Sequence, residues 1–208
     1  MTIRGLLHFK PVNRLWAIAT RQLCVKAQSF CIIAILSMIT PLSVAASFSD
    51  HQIKAVFLFN FASFVHWPQE AFAEETAPFV FCASNPQSDT IKTLLEVIEG
   101  EIINGHKLLL KAPFKPAELA GCHILFLEKA DLAHYQNQLS ALSAGTLLTV
   151  SDTPGFVDSG GLIEIARHKK QIKPTINTSQ LEQSKLKISS TLLRLATIYR
   201  TPIAEVTP

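Results

Sequence analysis

From Lys54 to Pro68 the chain reads KAVFLFNFASFVHWP, and every residue from Ala55 to Trp67 is apolar except Asn60, Ser63 and His66. A helix that is apolar on nearly all sides has to be buried in a core, in a partner or in lipid. Lipid is the wrong host, because Ile53 to Trp67 rises only about 22 Å as a helix, short of the roughly 20 residues that a spanning helix needs. The pattern therefore predicts a core helix over Ile53–Trp67, stopped by Pro68. Asn60, Ser63 and His66 recur at i, i+3 and make a narrow polar seam along it. The plain reading of that seam is a set of satisfied polar groups at a layer boundary, and the sharper one is a wall of a ligand pocket.

After this helix, short continuous apolar runs alternate with stretches of helical spacing. Pro78–Ser84 reads as a buried strand, and Asn85, Pro86 and Ser88 open a helix carried by Ile91, Leu94, Leu95 and Ile98 up to Gly100. Asn104-Gly105 is a turn dipeptide leading into an extended Lys107–Lys111. A helical turn at Pro116–Leu119, a strand at His123–Leu127, a helix at Leu132–Leu142 and a strand at Leu147–Val150 follow. Strands apolar on consecutive residues and separated by helices imply an α/β fold, a mostly parallel sheet covered by helices on both faces. Leu162–Ile165 and Ile172–Ile176 lie close together and predict an antiparallel hairpin at the edge, where Pro174 is tolerated. The chain closes with a predicted helix that Ser189 and Ser190 cap, Leu192, Leu195, Ala196 and Tyr199 line, and Pro202 ends.

The start of the chain has a different character. Arg4, Lys10, Arg14, Arg21 and Lys26 precede the apolar run Phe30–Ile39, and Val44-Ala45-Ala46 places small residues before a cut after Ala46. Residues 1–46 are read as an export leader, in preference to an uncleaved anchor, because the apolar run is short and Pro41 follows it. Residues 47–208 are then one domain, 162 residues long. Five of the nineteen lysines and arginines leave with the leader and none of the sixteen acidic residues does, so the net charge moves from +3 to about −2. A basic balance thus gives no reason to expect nucleic acid. The short basic run from Arg167 to Lys170 reads as a solvated turn, and nothing after Ser47 is long and apolar enough to cross a membrane.

Cys24 and Cys31 fall in the leader, leaving Cys82 and Cys122 as one even pair. In an oxidising compartment such a pair defaults to a disulfide, and two buried free thiols are the alternative. No companion ligand at short spacing supports zinc. The motifs of catalysis are missing too. There is no G-x-S-x-G, no H-E-x-x-H and no phosphate-binding loop, and the seven histidines form no i, i+4 pair. No cofactor or metal is expected. Asn177-Thr178-Ser179 is formally a glycosylation triplet of no weight in this setting. The distinctive segment is Ser151–Ile163 (SDTPGFVDSGGLI), leaving the carboxyl end of a strand, where open α/β sheets place ligands or partners. Its candidate contact residues are Ser151, Asp152, Gly155, Phe156, Gly160 and Gly161, although Asp152 and Pro154-Gly155 are also ordinary turn chemistry.

Five blocks in order carry a resemblance: KAVFLFNFASFVHWP, then FCAS at Phe81–Ser84, LAGCHILFL at Leu119–Leu127, LTVSDTPGF followed by GGLI, and LKISSTLLRLA at Leu186–Ala196. Together they resemble the YfiR family of periplasmic repressors. The chain departs from the family pattern at Glu164 and at Pro174 and Thr175. The resemblance implies a non-enzymatic exported regulator that forms dimers, with a disulfide between Cys82 and Cys122. It implies, further, a partner in the periplasmic sensory domain of an inner-membrane diguanylate cyclase, which the regulator binds and represses, lowering cyclic di-GMP. A periplasmic small-molecule binding protein, walled by the Ser151–Gly161 loop and the Asn60, Ser63 and His66 seam, is the alternative.

Overall fold

A computed structural model describes residues 48–112, 116–169 and 171–201. The leader assignment with Cys24 and Cys31, as well as Lys170 and Pro202, lies outside the described residues.

The first helix, α1 (Asp50–Phe64), starts one turn earlier than its apolar pattern, because the Ser49 backbone N–H donates to Gln52 Oε1 at 3.0 Å and Ser49 O accepts from the Ile53 N–H. It buries Ala55, Leu58, Phe61 and Ala62 and leaves Val56 exposed, so one face is outside the core. It also ends before Trp67. Val65 and His66 form β1 (Val65–His66), paired antiparallel with β11 (Lys187–Ile188). Pro68 disfavours helical backbone at Trp67, and the ladder takes the two residues before it. The seam is broken as a result: Asn60 and Ser63 stay on α1, while His66 is exposed on a strand.

The main sheet has eight strands in the order β12-β10-β7-β6-β5-β2-β4-β3. They are β2 (Phe79–Ala83), β3 (Ile102–Ile103), β4 (His106–Lys111), β5 (Ile124–Leu127), β6 (Leu148–Ser151), β7 (Ile163–Glu164), β10 (Thr175–Asn177) and β12 (Thr197–Tyr199). From β7 through β6, β5 and β2 to β4 every neighbour is parallel. β3 joins β4 by an antiparallel turn in which Asn104 and Gly105 both take positive φ, 51° and 88°. An Asn-Gly pair meets that demand at least cost.

Alternate residues of the strands face two cores. Phe79, Phe81, Ile124 and Phe126 pack with α1 and with α2 (Asp89–Ile98), whose Ser88 cap accepts from the Ile91 N–H. Val80, Cys82, Leu125 and Leu127 pack on the other side against Tyr135, Leu139 and Phe156. Both faces are covered, as the continuous apolar strands require. Cys82 on β2 and Cys122 just ahead of β5 form a disulfide across a Cα–Cα distance of 5.8 Å, joining two neighbouring strands in the second core.

Three expected elements come out differently. The Leu132–Leu142 helix is split into α3 (Leu132–Tyr135), a 3-10 turn at Gln136–Gln138 and α4 (Leu139–Ser143). Neither Asp131 nor Gln138 caps its helix through a side chain, and Tyr135 and Leu139, four residues apart, still reach the same core. The C-terminal helix is only α6 (Ser190–Leu195), capped by Ser189 as expected, and Tyr199 is on a strand. Thr197, Ile198 and Tyr199 are strand formers, and β10 offers them a parallel partner, with the Thr197 N–H donating to Pro174 O at 2.8 Å. The predicted hairpin forms, β7 against β10, and extends through β8 (Arg167–His168) and β9 (Gln171–Ile172). β12 lies outside it and closes that side of the sheet. Between β10 and β11, Asn177 and Gln180 begin an unanticipated helix, α5 (Thr178–Gln183).

Candidate functional site

The parallel strands direct their carboxyl ends to one edge, and the loop after β6 and the β8–β9 hairpin both rise there. The loop is built from inside. Ser151 is fully buried and its Oγ accepts the Thr153 N–H at 3.1 Å, so it shapes the turn. Asp152 pairs with Lys54 of α1 at 2.7 Å. Phe156 and Val157 turn inward, and Phe156 is an anchor of the second core. Gly161 lies under the Phe156 ring and Gly160, at φ 93°, lies under Ser140, so a Cβ at either position would overlap those side chains. Their close approach is to the protein's own atoms.

Of the six candidate residues of the loop, Gly155 lines an open groove, Asp152 is half-buried beside Lys54, and Ser151, Phe156, Gly160 and Gly161 hold the loop from beneath. Buried polar groups complete the support. Asn177 Nδ2 donates to Val157 O at 2.9 Å while its Oδ1 accepts the Gln180 N–H, which makes this fully buried residue a helix cap and no glycan acceptor. Glu164 Oε2 accepts the Phe156 N–H at 3.0 Å, and its other oxygen lies 3.5 Å from His168 Nε2. Glu164 is thus a buried brace between loop and hairpin. Asn177 with Gln180 three residues on was a legible capping signature; the Glu164 bond had no local signal.

Two grooves flank the hairpin. One, about 440 Å³, is lined by Gly155, Asp158, His168, Lys173 and Tyr199 among others. The second, about 410 Å³, is more apolar and includes Ile53, Phe57, Ile172 and Leu195. Gln171 and Lys173 border both. Arg167 binds both carboxylate oxygens of Asp50 at the start of α1, one from Nε at 2.7 Å, and this fork fixes the hairpin base. The guanidinium holds the Asp50 carboxyl below the usual carboxylate range, and the carboxylate in turn raises Arg167. Across the first groove the Asp158 carboxylate, hydrogen-bonded to the Tyr199 phenol, raises its pKa, with desolvation adding to the effect. Neither groove includes Asn60, Ser63 or His66, so loop and seam do not share a pocket there.

Among the described residues, His123 is a titratable group that folding alters strongly. It is buried, its Nδ1 accepts the Val80 N–H at 3.0 Å, and its ring lies against Phe79 and Phe72 at centroid distances of 4.6 and 4.5 Å. Desolvation first, then the nearby His106, depresses its pKa to about 4. The unfolded chain binds this proton near pH 6.5 and the folded one only near 4, so stability present above pH 6.5 is lost as the pH falls through that window. Melts at pH 7 and 4.5 are expected to differ by roughly 2 kcal/mol on this account. His123→Asn keeps an acceptor for Val80 and cannot titrate, so it should flatten that slope; an unchanged slope would assign the effect elsewhere.

Among the described residues no group of three or more His, Cys, Asp or Glu side chains is placed to hold a metal ion, and no helix is long and apolar enough to cross a membrane. No curated protein matches the chain. The family model described as YfiR/HmsC-like matches residues 51–197, from the first turn of α1 to the first residue of β12. This match spans both cores, the disulfide, the loop and the hairpin, and the chain accordingly belongs to the YfiR/HmsC-like family, a periplasmic family of regulators in cyclic di-GMP signalling.

Proposed function

We propose that the mature protein is an exported repressor that binds the periplasmic sensory domain of an inner-membrane diguanylate cyclase and lowers cyclic di-GMP, after loss of residues 1–46. Residues 47–208 act as one domain, in a homodimer, without catalytic chemistry of their own. The observation that carries the reading to a surface is the braced hairpin between two grooves. Asp50 holds its base, Glu164 ties it to the loop, and Gln171 and Lys173 stand where both grooves meet. A hairpin anchored at its base beside an apolar groove suits a protein partner, because the backbone there needs little further ordering on docking. Within the loop, contact falls to Gly155 and Asp158, while Ser151, Phe156, Gly160 and Gly161 act by holding them in place. Repression then requires only a higher affinity for the inactive state of the cyclase than for the active one.

The test is titration of the purified protein against the periplasmic domain of a cyclase encoded beside it, with cyclic di-GMP measured on co-expression. Gln171→Glu combined with Lys173→Glu is expected to weaken binding about tenfold or more and to raise cyclic di-GMP. Lys107→Glu, on β4 at the far side of the sheet, should leave both unchanged. Absence of binding by the unaltered protein, or equal effects of the two variants, would reject the assignment.

A further inference from the structure

At the β3–β4 end of the sheet a second feature stands apart from the hairpin. A cleft of about 390 Å³ lies between the end of α1 and the β3–β4 turn, bordered by Trp67, Gln69, Phe72, Phe79, Asn104 and His106 among others. None of the side chains lining it is acidic. Trp67 is more than nine-tenths buried and its indole N–H has no acceptor. Next to it, at a ring separation of 6.4 Å, is His123. Because its Nδ1 accepts the Val80 N–H, the neutral ring carries its proton on Nε2, which meets the Ala71 backbone.

A buried indole N–H without an acceptor in an aromatic cluster is a standing demand for one, since such groups are costly to leave unmade. A buried water would meet the demand, but the cleft is more than ten times the roughly 30 Å³ that one water occupies. Phe72 forms part of its wall. It follows the 3-10 turn Gln69–Ala71, is only half-buried, and stacks on His106 at 4.0 Å and 9°.

We propose that this cleft binds a compact organic anion, a small carboxylate with a flat apolar body, whose oxygens accept the Trp67 N–H. Asn104 and Gln69 supply amide donors among the lining groups, and the apolar body lies against Phe72 and Phe79. The absence of acidic side chains and the presence of aromatic walls select for that combination of charge and shape.

Benzoate is the probe, with benzyl alcohol as its uncharged counterpart, in thermal melts of the purified protein. A saturable rise of about 3 °C is expected at about ten times Kd. Trp67→Phe keeps the ring and removes the donor, and should weaken benzoate about tenfold. Asn104→Gly keeps the positive φ of an exposed turn while removing the amide, and should weaken it several-fold in a protein that folds normally. No saturable rise, an equal response to benzyl alcohol, or unchanged affinity in both variants would overturn the proposal.

Discussion

Replacing Cys82 with serine is expected to lower the free energy of unfolding by about 4 kcal/mol, a fall of roughly 10 °C in Tm. The bond closes a sequence separation of 40 residues, so in the chain-entropy account its loss returns that freedom to the unfolded state. It also joins β2 to the start of β5 within the second core, whose other members include Phe156, the anchor of the loop. Reduction should therefore loosen the loop and hairpin together. Cyclase output in cells carrying Cys82→Ser should rise, and the Cys82→Ser, Cys122→Ser pair should match it, which excludes an effect of the stray thiol. Unchanged repression at equal protein level would separate the disulfide from docking and leave it a purely structural bond.

Gly161→Ala is expected to cost about 3 kcal/mol although it adds one methyl group. Ordinary surface substitutions stay within about 0.5 kcal/mol. The difference lies in what the methyl meets. A Cβ at Gly161 overlaps the ring of Phe156, which is fully buried, and close-packed interiors leave such a ring little room to move. Phe156 must leave its place in the second core or the loop must lift from β7. Introducing Phe156→Leu into the Gly161→Ala background should recover about 1 kcal/mol, a coupling that denaturant titration of the four proteins measures directly. Additive losses would show that the two residues do not share the space. The same substitution should weaken the proposed partner without touching it, since Gly155 and Asp158 are positioned by this packing.

Much of the architecture was legible along the chain. Continuous apolar runs at Phe79–Ala83 and Ile124–Leu127 can be satisfied only by a sheet covered on both faces, and that is the sheet found. Ser88 and Ser189 announced helix starts, and Asn104-Gly105 announced a tight turn, because each is a local solution to a local backbone demand. The candidate loop was legible as a place, at the carboxyl end of a strand. Its glycines were not legible in purpose, because the atoms they make room for, Ser140 and Phe156, depend on how the loop closes over α4 and β7.

What the sequence by itself determined is the set of choices made within a few residues: α/β layering, caps, turns and membership of the family through five ordered blocks. Only the tertiary structure decided the rest. Val65–His66 and Thr197–Tyr199 continue the helical spacing of the segments before them, and distant partners, Lys187–Ile188 and β10, made them strands. The hairpin base rests on Arg167 and Asp50, which are 117 positions apart, and the loop on a buried Glu164. Side-chain periodicity reports which face of an element is apolar, whereas the pairing of elements is settled by backbone hydrogen bonds and packing between segments that no local window contains together.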